Sequence, residues 1–139
     1  MLLSVSFSDA EITRKINAEL GKPYSLYERI KMWGNGSPKL ILKEASEAIS
    51  DLMNRDNNRN VCNIELRPKG IIVGFRSKLD SYALIIPYDK LVLSTTNDGY
   101  LIRKDEYFVE ISIHPKDYSI HRFMKKLFKA KLLYEPKRS

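Results

Sequence analysis

The chain has 139 residues, 43% of them hydrophobic and 29% charged, with six glycines, six prolines and one cysteine. This composition excludes disordered, collagen-like and membrane-spanning proteins, and it is typical of one globular domain because a chain of this length buries about two-thirds of its surface around a single core. The formal net charge is +7, yet the segment 116–139 alone holds eight basic and two acidic residues. An anionic partner is therefore expected to meet the C-terminal end and not the whole surface.

The N-terminal residues MLLSVSF lack a basic region, so we expect no secretory signal here. No apolar run approaches the roughly 18 to 20 residues that cross a bilayer. Cys62 alternates with Ile64 and Leu66, which indicates a small buried residue of a strand in preference to a reactive thiol. With one cysteine and no leader, the sequence favours a cytoplasmic location.

Residues 1–53 are predicted to form a helical front. The capping-box pattern of Ser8 and Glu11 opens an apolar repeat of four, which predicts a helix over about 9–20. A second, short helix is expected over 24–32. The residues that follow, Trp33-Gly34-Asn35-Gly36-Ser37-Pro38, are typical of a turn.

A third helix is predicted over 38–53, with Ser37 as its N-cap and Pro38 at its first position. Five apolar residues then fall on one helical face. They are Ile41, Ala45, Ala48, Ile49 and Leu52. The polar run NRDNNRN at 54–60 has no periodicity and is predicted to be a loop or linker.

After residue 60 the apolar period changes to two, which predicts strands. Turn signals separate them, among them a type I turn at 67–70 and the Asp98-Gly99 pair, which tolerates the positive φ of a primed hairpin turn. Because each connection is too short for a parallel crossover, the strands are expected to form an antiparallel meander. The six predicted strands are 62–66, 71–76, 82–87, 90–95, 100–103 and 107–113.

The last predicted element is a helix over about 117–131. Its apolar stripe is expected to cover the open side of the sheet. The stripe comprises Ile120, Phe123, Met124, Leu127 and Phe128. The predicted fold class is therefore α+β: an antiparallel meander curled into a small barrel or orthogonal sandwich, capped by a C-terminal helix and preceded by a helical segment.

The runs IELRPKGIIV at 64–73 and YALIIPYDKL at 82–91, followed by the basic helix, resemble a bacterial pleckstrin-homology-like domain over residues 61–133. The resemblance implies a small curved barrel or orthogonal sandwich with a C-terminal helix, and a binding or scaffolding role without catalysis. The family typically has seven strands. Either one more strand is hidden at residues 39–43, or the match is incomplete. We expect one domain over 1–139, with the front at 1–53, the β unit and helix at 61–133, and a tail at 134–139.

No catalytic, cofactor-binding or metal-binding motif is evident, and we expect no enzyme, no cofactor and no metal. His114 and His121 have no accompanying ligand cluster, so they are predicted to be surface histidines. Lys69, Arg76 and Lys78 resemble an inositol-phosphate pattern. A strand between the first two would hold them about 20 Å apart, which indicates solvated turn charges instead.

The polar face of the last helix is the candidate anion-binding face. It comprises Arg122, Lys125, Lys126 and Lys129. Three interpretations remain open: the solvated back of a capping helix, a contact to an anionic membrane or lipid headgroup, and a contact to a nucleic-acid backbone. The first is favoured because the apolar stripe already serves to close the sheet.

Trp33, with Tyr24, Tyr27 and Met32, forms an apolar cluster in the sequence near the boundary of the β unit. We expect this cluster to pack the helical front onto the sheet, while an exposed part of it would be a protein-docking patch. The function favoured by the sequence is a non-catalytic binding or assembly module whose partner is another protein. The alternative is a nucleic-acid-binding protein that uses the basic C-terminal helix.

Overall fold

The structure is a computed structural model that describes residues 2–4, 10–54, 61–77 and 80–134. Its elements in chain order are β1 (Leu2–Ser4), α1 (Ala10–Leu20), α2 (Leu26–Lys31), β2 (Leu40–Ala45), α3 (Glu47–Asn54), β3 (Val61–Arg67), β4 (Gly70–Ser77), β5 (Asp80–Pro87), a 3-10 turn (Tyr88–Lys90), β6 (Val92–Thr95), β7 (Gly99–Lys104), β8 (Tyr107–Ser112) and α4 (Tyr118–Leu133). The predicted Ser8 cap, Lys78, residues 55–60 of the predicted linker and residues 135–139 of the predicted tail lie outside the described residues. Asn54, the first residue of the predicted linker, belongs to α3.

All eight strands belong to one antiparallel sheet with the order β1-β5-β4-β3-β2-β8-β7-β6. Two three-stranded meanders, β3-β4-β5 and β6-β7-β8, lie on either side of β2. The sheet is open, because its edge strands β1 and β6 do not pair in the described chain. The predicted α+β class, with an antiparallel meander, a C-terminal helix and an N-terminal helical segment, is confirmed.

The prediction of one helix over 38–53 is wrong. Residues Leu40–Ala45 form β2, and the helix α3 occupies only Glu47–Asn54. The side chains of β2 alternate as in a strand, so Ile41 is 61% exposed between two buried leucines. The predicted N-cap Ser37 instead accepts a hydrogen bond from the backbone N–H of Ile64 at 2.8 Å. The non-local pairing of β2 with β3 and β8 therefore outweighs the local helical pattern.

The hairpin between β6 and β7 forms as predicted, but not through a primed turn. None of residues 97–99 has a positive φ. Gly99 is needed for a different reason: a Cβ at this position would collide with the carbonyl oxygen of Ile111 on the adjacent strand β8. Glycine here permits a close approach of two backbones and does not supply a left-handed conformation.

The two faces of the sheet are covered by different helices. On one face, α4 buries Phe123, Met124 and Leu127 in the main core, and the burial of Leu127 is complete. On the other face, Leu20 of α1 packs against alternate residues of β5 in a second, smaller core. The predicted burial of Cys62 is confirmed. The long helix α4 thus has one face fixed on the sheet and the opposite face in solvent.

Candidate binding surface

The short helix α2 begins with a capping box that the sequence analysis missed. Ser25 is the N-cap, and its hydroxyl accepts a hydrogen bond from the N–H of Glu28 at 3.2 Å. The Glu28 carboxylate accepts one from the N–H of Ser25 at 3.0 Å. The signal was present as Ser25-x-x-Glu28, the same pattern that was read at Ser8. Six residues are too few for a stable isolated helix, so this cap matters for α2.

The helix ends in two consecutive residues with positive φ, Trp33 at 60° and Gly34 at 92°. The N–H of Gly34 donates to the carbonyl of Arg29 at 2.8 Å, which closes the last turn. Glycine is the usual residue at the position of Trp33 because its left-handed conformation is strained for a side chain with a Cβ. This turn directs the indole outward, and the Trp33 side chain is 92% exposed.

Four large apolar residues of α2 and its final turn are exposed together. They are Leu26, Tyr27, Ile30 and Trp33, here called the Trp33 surface. Their spacing places them along one side of the helix. The sequence predicted that the cluster around Trp33 packs the helical front onto the sheet. This prediction is wrong for Trp33 and Tyr27, which are exposed. It is confirmed for Tyr24 and Met32, which pack against the main core.

A groove of about 660 Å³ lies between Trp33 and α4; it is called the α4 groove. Its apolar walls include Met32, Trp33 and Phe123, and two cationic side chains, Arg122 and Lys126, line it as well. A second, open hollow includes Leu26, Arg29 and Ile30. Trp33 lines both depressions, and each has at least one base.

Lys126 fixes the turn to α4. Its ammonium donates to the carbonyls of Gly34 at 2.9 Å and Trp33 at 3.3 Å. Desolvation by burial lowers the pKa of Lys126, and the neighbouring charge of Arg122 lowers it further. On the other side, the N–H of Leu66 in β3 donates to the carbonyl of Asn35 at 2.7 Å. The loop that carries Trp33 is therefore held from both the sheet and the helix.

The four predicted anion-binding residues all lie on α4, but they do not share one environment. Arg122, Lys125 and Lys129 are exposed, whereas Lys126 is half-buried against the turn. Within the described ranges, none of the four forms an ion pair with a carboxylate. A fifth base, Lys131, donates to the carbonyl of Tyr88 at 2.9 Å and belongs to the packing of α4.

The other candidates from the sequence remain separate. His121 lies 3.3 Å from the Tyr100 hydroxyl, and His114 accepts a hydrogen bond from the N–H of Lys116 at 3.1 Å. Among the residues that the structure describes, no three His, Cys, Asp or Glu side chains are grouped to hold a metal ion. Burial raises the pKa of Cys62 to about 12. Of the helices described, none combines the length and apolarity needed to span a membrane.

Comparison with known proteins gives no relative from which a role could be transferred. No protein-family model, no curated protein and no solved structure matches the chain. The features of this chain that bear on function are therefore the Trp33 surface, the α4 groove and the bases beside them.

Proposed function

We propose that this chain is a non-catalytic binding or assembly module of the pleckstrin-homology-like type, and that it docks another protein through the Trp33 surface. The observation that carries the proposal is the 92% exposure of Trp33 beside three further exposed apolar residues. Tryptophan is enriched among the residues that dominate binding at protein interfaces. Contiguous apolar patches on a protein surface mark interaction sites far more often than single exposed residues do.

Element order supports the family part of the proposal. Seven antiparallel strands, β2 to β8, are followed by α4. The resemblance implies seven strands and a final helix, which agrees with this order. The strand β2 lies where the resemblance called for one more strand, at residues 39–43. The elements β1, α1 and α2 precede this unit, and α2 brings the Trp33 surface to the side of the final helix.

We propose no catalytic activity because the cysteine and the two histidines lack the surroundings that a nucleophile or a general base needs. The thiol of Cys62 has a pKa of about 12, so it remains protonated at neutral pH and is a poor nucleophile. Among the residues that the structure describes, His121 contacts the Tyr100 hydroxyl and His114 accepts from a backbone N–H, and neither pairs with a serine or a carboxylate. The proposal also includes a cytoplasmic location, since a single buried thiol suits a reducing compartment.

The alternative function is nucleic-acid binding through the basic side of α4. The exposure of Arg122, Lys125 and Lys129 on one side of the helix favours it. The contact of Lys126 with two carbonyls weighs against it, because one of the four bases is already engaged. Binding through four bases predicts a log-log salt slope of about −3 to −4.

The test uses the intact chain as bait in extracts of cells that express it. We expect a partner protein that is retained by the wild type and by Leu132→Ser, and is lost with Trp33→Ser. Leu132 is a matched control because it is 83% exposed near the end of α4 and lines neither of the depressions beside Trp33. Equal retention by the two variants contradicts the proposal. Retention that is abolished by nuclease and by charge reversal at 122, 125 and 129 supports the alternative.

A further inference from the structure

We infer that the α4 groove accepts an acidic amphipathic segment of the partner protein, with a large apolar side chain between Trp33 and Phe123 and carboxylates on Arg122 and Arg29. This inference rests on the proposed function and adds to it the chemistry of the partner. It follows from the shape of the groove and from the distribution of charge around it.

The apolar walls of the groove suit a large apolar side chain of the partner. Met32, Trp33, Pro38 and Phe123 line the groove, and the volume of about 660 Å³ is ample for one or two large side chains. Met32 and Phe123 also pack within or against the main core, so these walls are fixed before a partner arrives. A preformed groove reduces the entropy lost on binding.

The cationic side chains of the groove suit acidic residues of the partner beside its apolar side chain. Arg122 and Lys126 line the same groove, and the pKa of Lys126 is lowered by burial first and then by the charge of Arg122. A carboxylate placed between them would relieve the repulsion between the two charges. The nearby acids are otherwise engaged: Glu28 caps α2, and Asp117 accepts from Ser119 and Ile120 at the start of α4. The groove therefore presents positive charge that no described carboxylate neutralises.

Arg29 adds a base to the adjoining hollow, which it lines together with Leu26, Ile30 and Trp33. Because Trp33 lines both depressions, a segment that binds over Trp33 and reaches into both meets apolar surface with a base in each. The partner segment that complements this surface has acidic residues on both sides of its apolar residues. Such charge complementarity also fixes the register of the bound segment and raises its association rate.

Other occupants fit these residues less well. A second copy of the chain in a two-fold contact would place the patch that contains Arg29, Arg122 and Lys126 against the same basic patch of the other copy, and like charges oppose such an interface. A single-stranded nucleic acid could stack on Trp33, but the other exposed aromatic ring of the Trp33 surface, Tyr27, lines neither depression, and Leu26 and Ile30 are aliphatic. An amphipathic helix binds a membrane by burying its whole apolar face, whereas the apolar stripe of α4 is buried against the sheet and the exposed apolar residues here line a groove.

The closing experiment uses Trp33 as its own reporter, because it is the single tryptophan of the chain. The intact protein is titrated with a short synthetic peptide that alternates Glu and Leu or Phe and contains no tryptophan. Parallel titrations use the same peptide with Gln in place of Glu, an oligo(dT) strand, and vesicles of phosphatidylserine and phosphatidylcholine. We expect a saturable blue shift of the Trp33 emission with the acidic peptide, and at least about tenfold weaker binding of the Gln peptide.

Matched variants assign the effect to the groove. Arg122→Glu is expected to weaken binding of the acidic peptide about tenfold or more. Arg14→Glu on α1, which covers the other face of the sheet, is expected to leave it unchanged. Arg122→Gln serves as a milder second variant, and circular dichroism checks that each variant is folded.

Three results would overturn the inference: equal binding of the acidic and Gln peptides, no effect of Arg122→Glu, or saturable binding only to oligo(dT) or to vesicles. These results are distinct from a failure of the proposed function. A natural partner that is lost with Trp33→Ser but kept with Arg122→Glu overturns the acidic segment and leaves protein docking intact. A partner set unaffected by Trp33→Ser removes the proposed function itself.

Discussion

The ammonium of Lys126 lies 2.9 Å from the carbonyl oxygen of Gly34, a residue 92 positions earlier in the chain. This hydrogen bond joins the middle of α4 to the turn after α2. Hydrogen bonds from a charged donor are stronger than those between neutral groups, and Lys126 makes a second one to Trp33. The orientation of the exposed indole therefore depends on a residue of the C-terminal helix.

Lys126→Met is expected to lower the free energy of unfolding by about 1 kcal/mol, because two carbonyls lose their donor at a half-exposed site. It should also lower the fluorescence anisotropy of Trp33, since the turn is less restrained. Urea denaturation and steady-state anisotropy measure the two effects. Lys125→Met, at an exposed neighbouring position, is the control. Equal changes in both variants would show that the hydrogen bonds to the turn contribute nothing.

Trp33→Gly is expected to stabilise the fold by about 1 kcal/mol relative to Trp33→Ala, because glycine adopts the φ of 60° without strain. The alanine variant removes the indole but keeps the Cβ, so the difference between the two isolates the backbone term. Thermal and urea unfolding provide the values. A glycine variant less stable than the alanine variant would contradict the left-handed turn. Tryptophan at this position therefore lowers the stability of the fold and provides an exposed indole.

Leu127→Ala is expected to lower the free energy of unfolding by about 2 to 5 kcal/mol, because Leu127 is fully buried in the main core. Leu132→Ala, on the same helix, removes an equal side chain that is 83% exposed and should change stability by less than about 0.5 kcal/mol. Urea denaturation of both variants gives the comparison. Similar losses in the two variants would contradict the observed packing of α4.

Cys62 is expected to resist alkylation in the folded protein at pH 8 and to react on unfolding, because its pKa of about 12 leaves almost no thiolate. The same shift makes stability pH-dependent. The folded pKa lies above the ordinary value of 9.0, so the unfolded chain releases this proton first as pH rises. Stability is thus retained below pH 9 and falls above it by up to about 1.4 kcal/mol per pH unit.

Cys62→Ala isolates that contribution, since it leaves the tyrosines and lysines unchanged. Urea denaturation at pH 8, 9 and 10 should give a smaller decline for the variant than for the wild type. An identical pH dependence, or rapid alkylation of the native protein, would mean that the thiol is more accessible than its burial indicates.

The β hairpins and the terminal helix were predictable because their signals are local. Alternation over 62–66 and 107–113 marks half-buried strands, and the stripe that includes Phe123 and Leu127 marks a helix over a core. The run Leu40-Ile41-Leu42 fits both a strand and a buried helix. Whether this run forms a strand or a helix depends on β3 and β8, which become its neighbours only in the folded sheet. The strand β1 was missed for the same reason, since only its pairing with β5 defines it.

The candidate site was predictable in its residue types but not in its geometry. The bases of α4 and the apolar cluster around Trp33 are visible in the sequence. Whether Trp33 is buried depends on a backbone φ of 60° and on the donor from Lys126. No local pattern specifies either one. The capping box at Ser25 could have been found, because its spacing is the same as the pattern noted at Ser8.

The central position of β2 has a kinetic consequence. Each meander is formed by strands that are adjacent in the sequence and can close quickly from local contacts. Pairing of β2 with β8 instead brings together distant parts of the chain, and Ser46, the residue after β2, binds the backbone of Phe108, which is 62 positions away. Until β2 is inserted, β3 and β8 each leave a row of backbone donors and acceptors open. We therefore expect insertion of β2 to be slower than closure of either meander, and a chain in which insertion is delayed to be open to strand exchange with another copy.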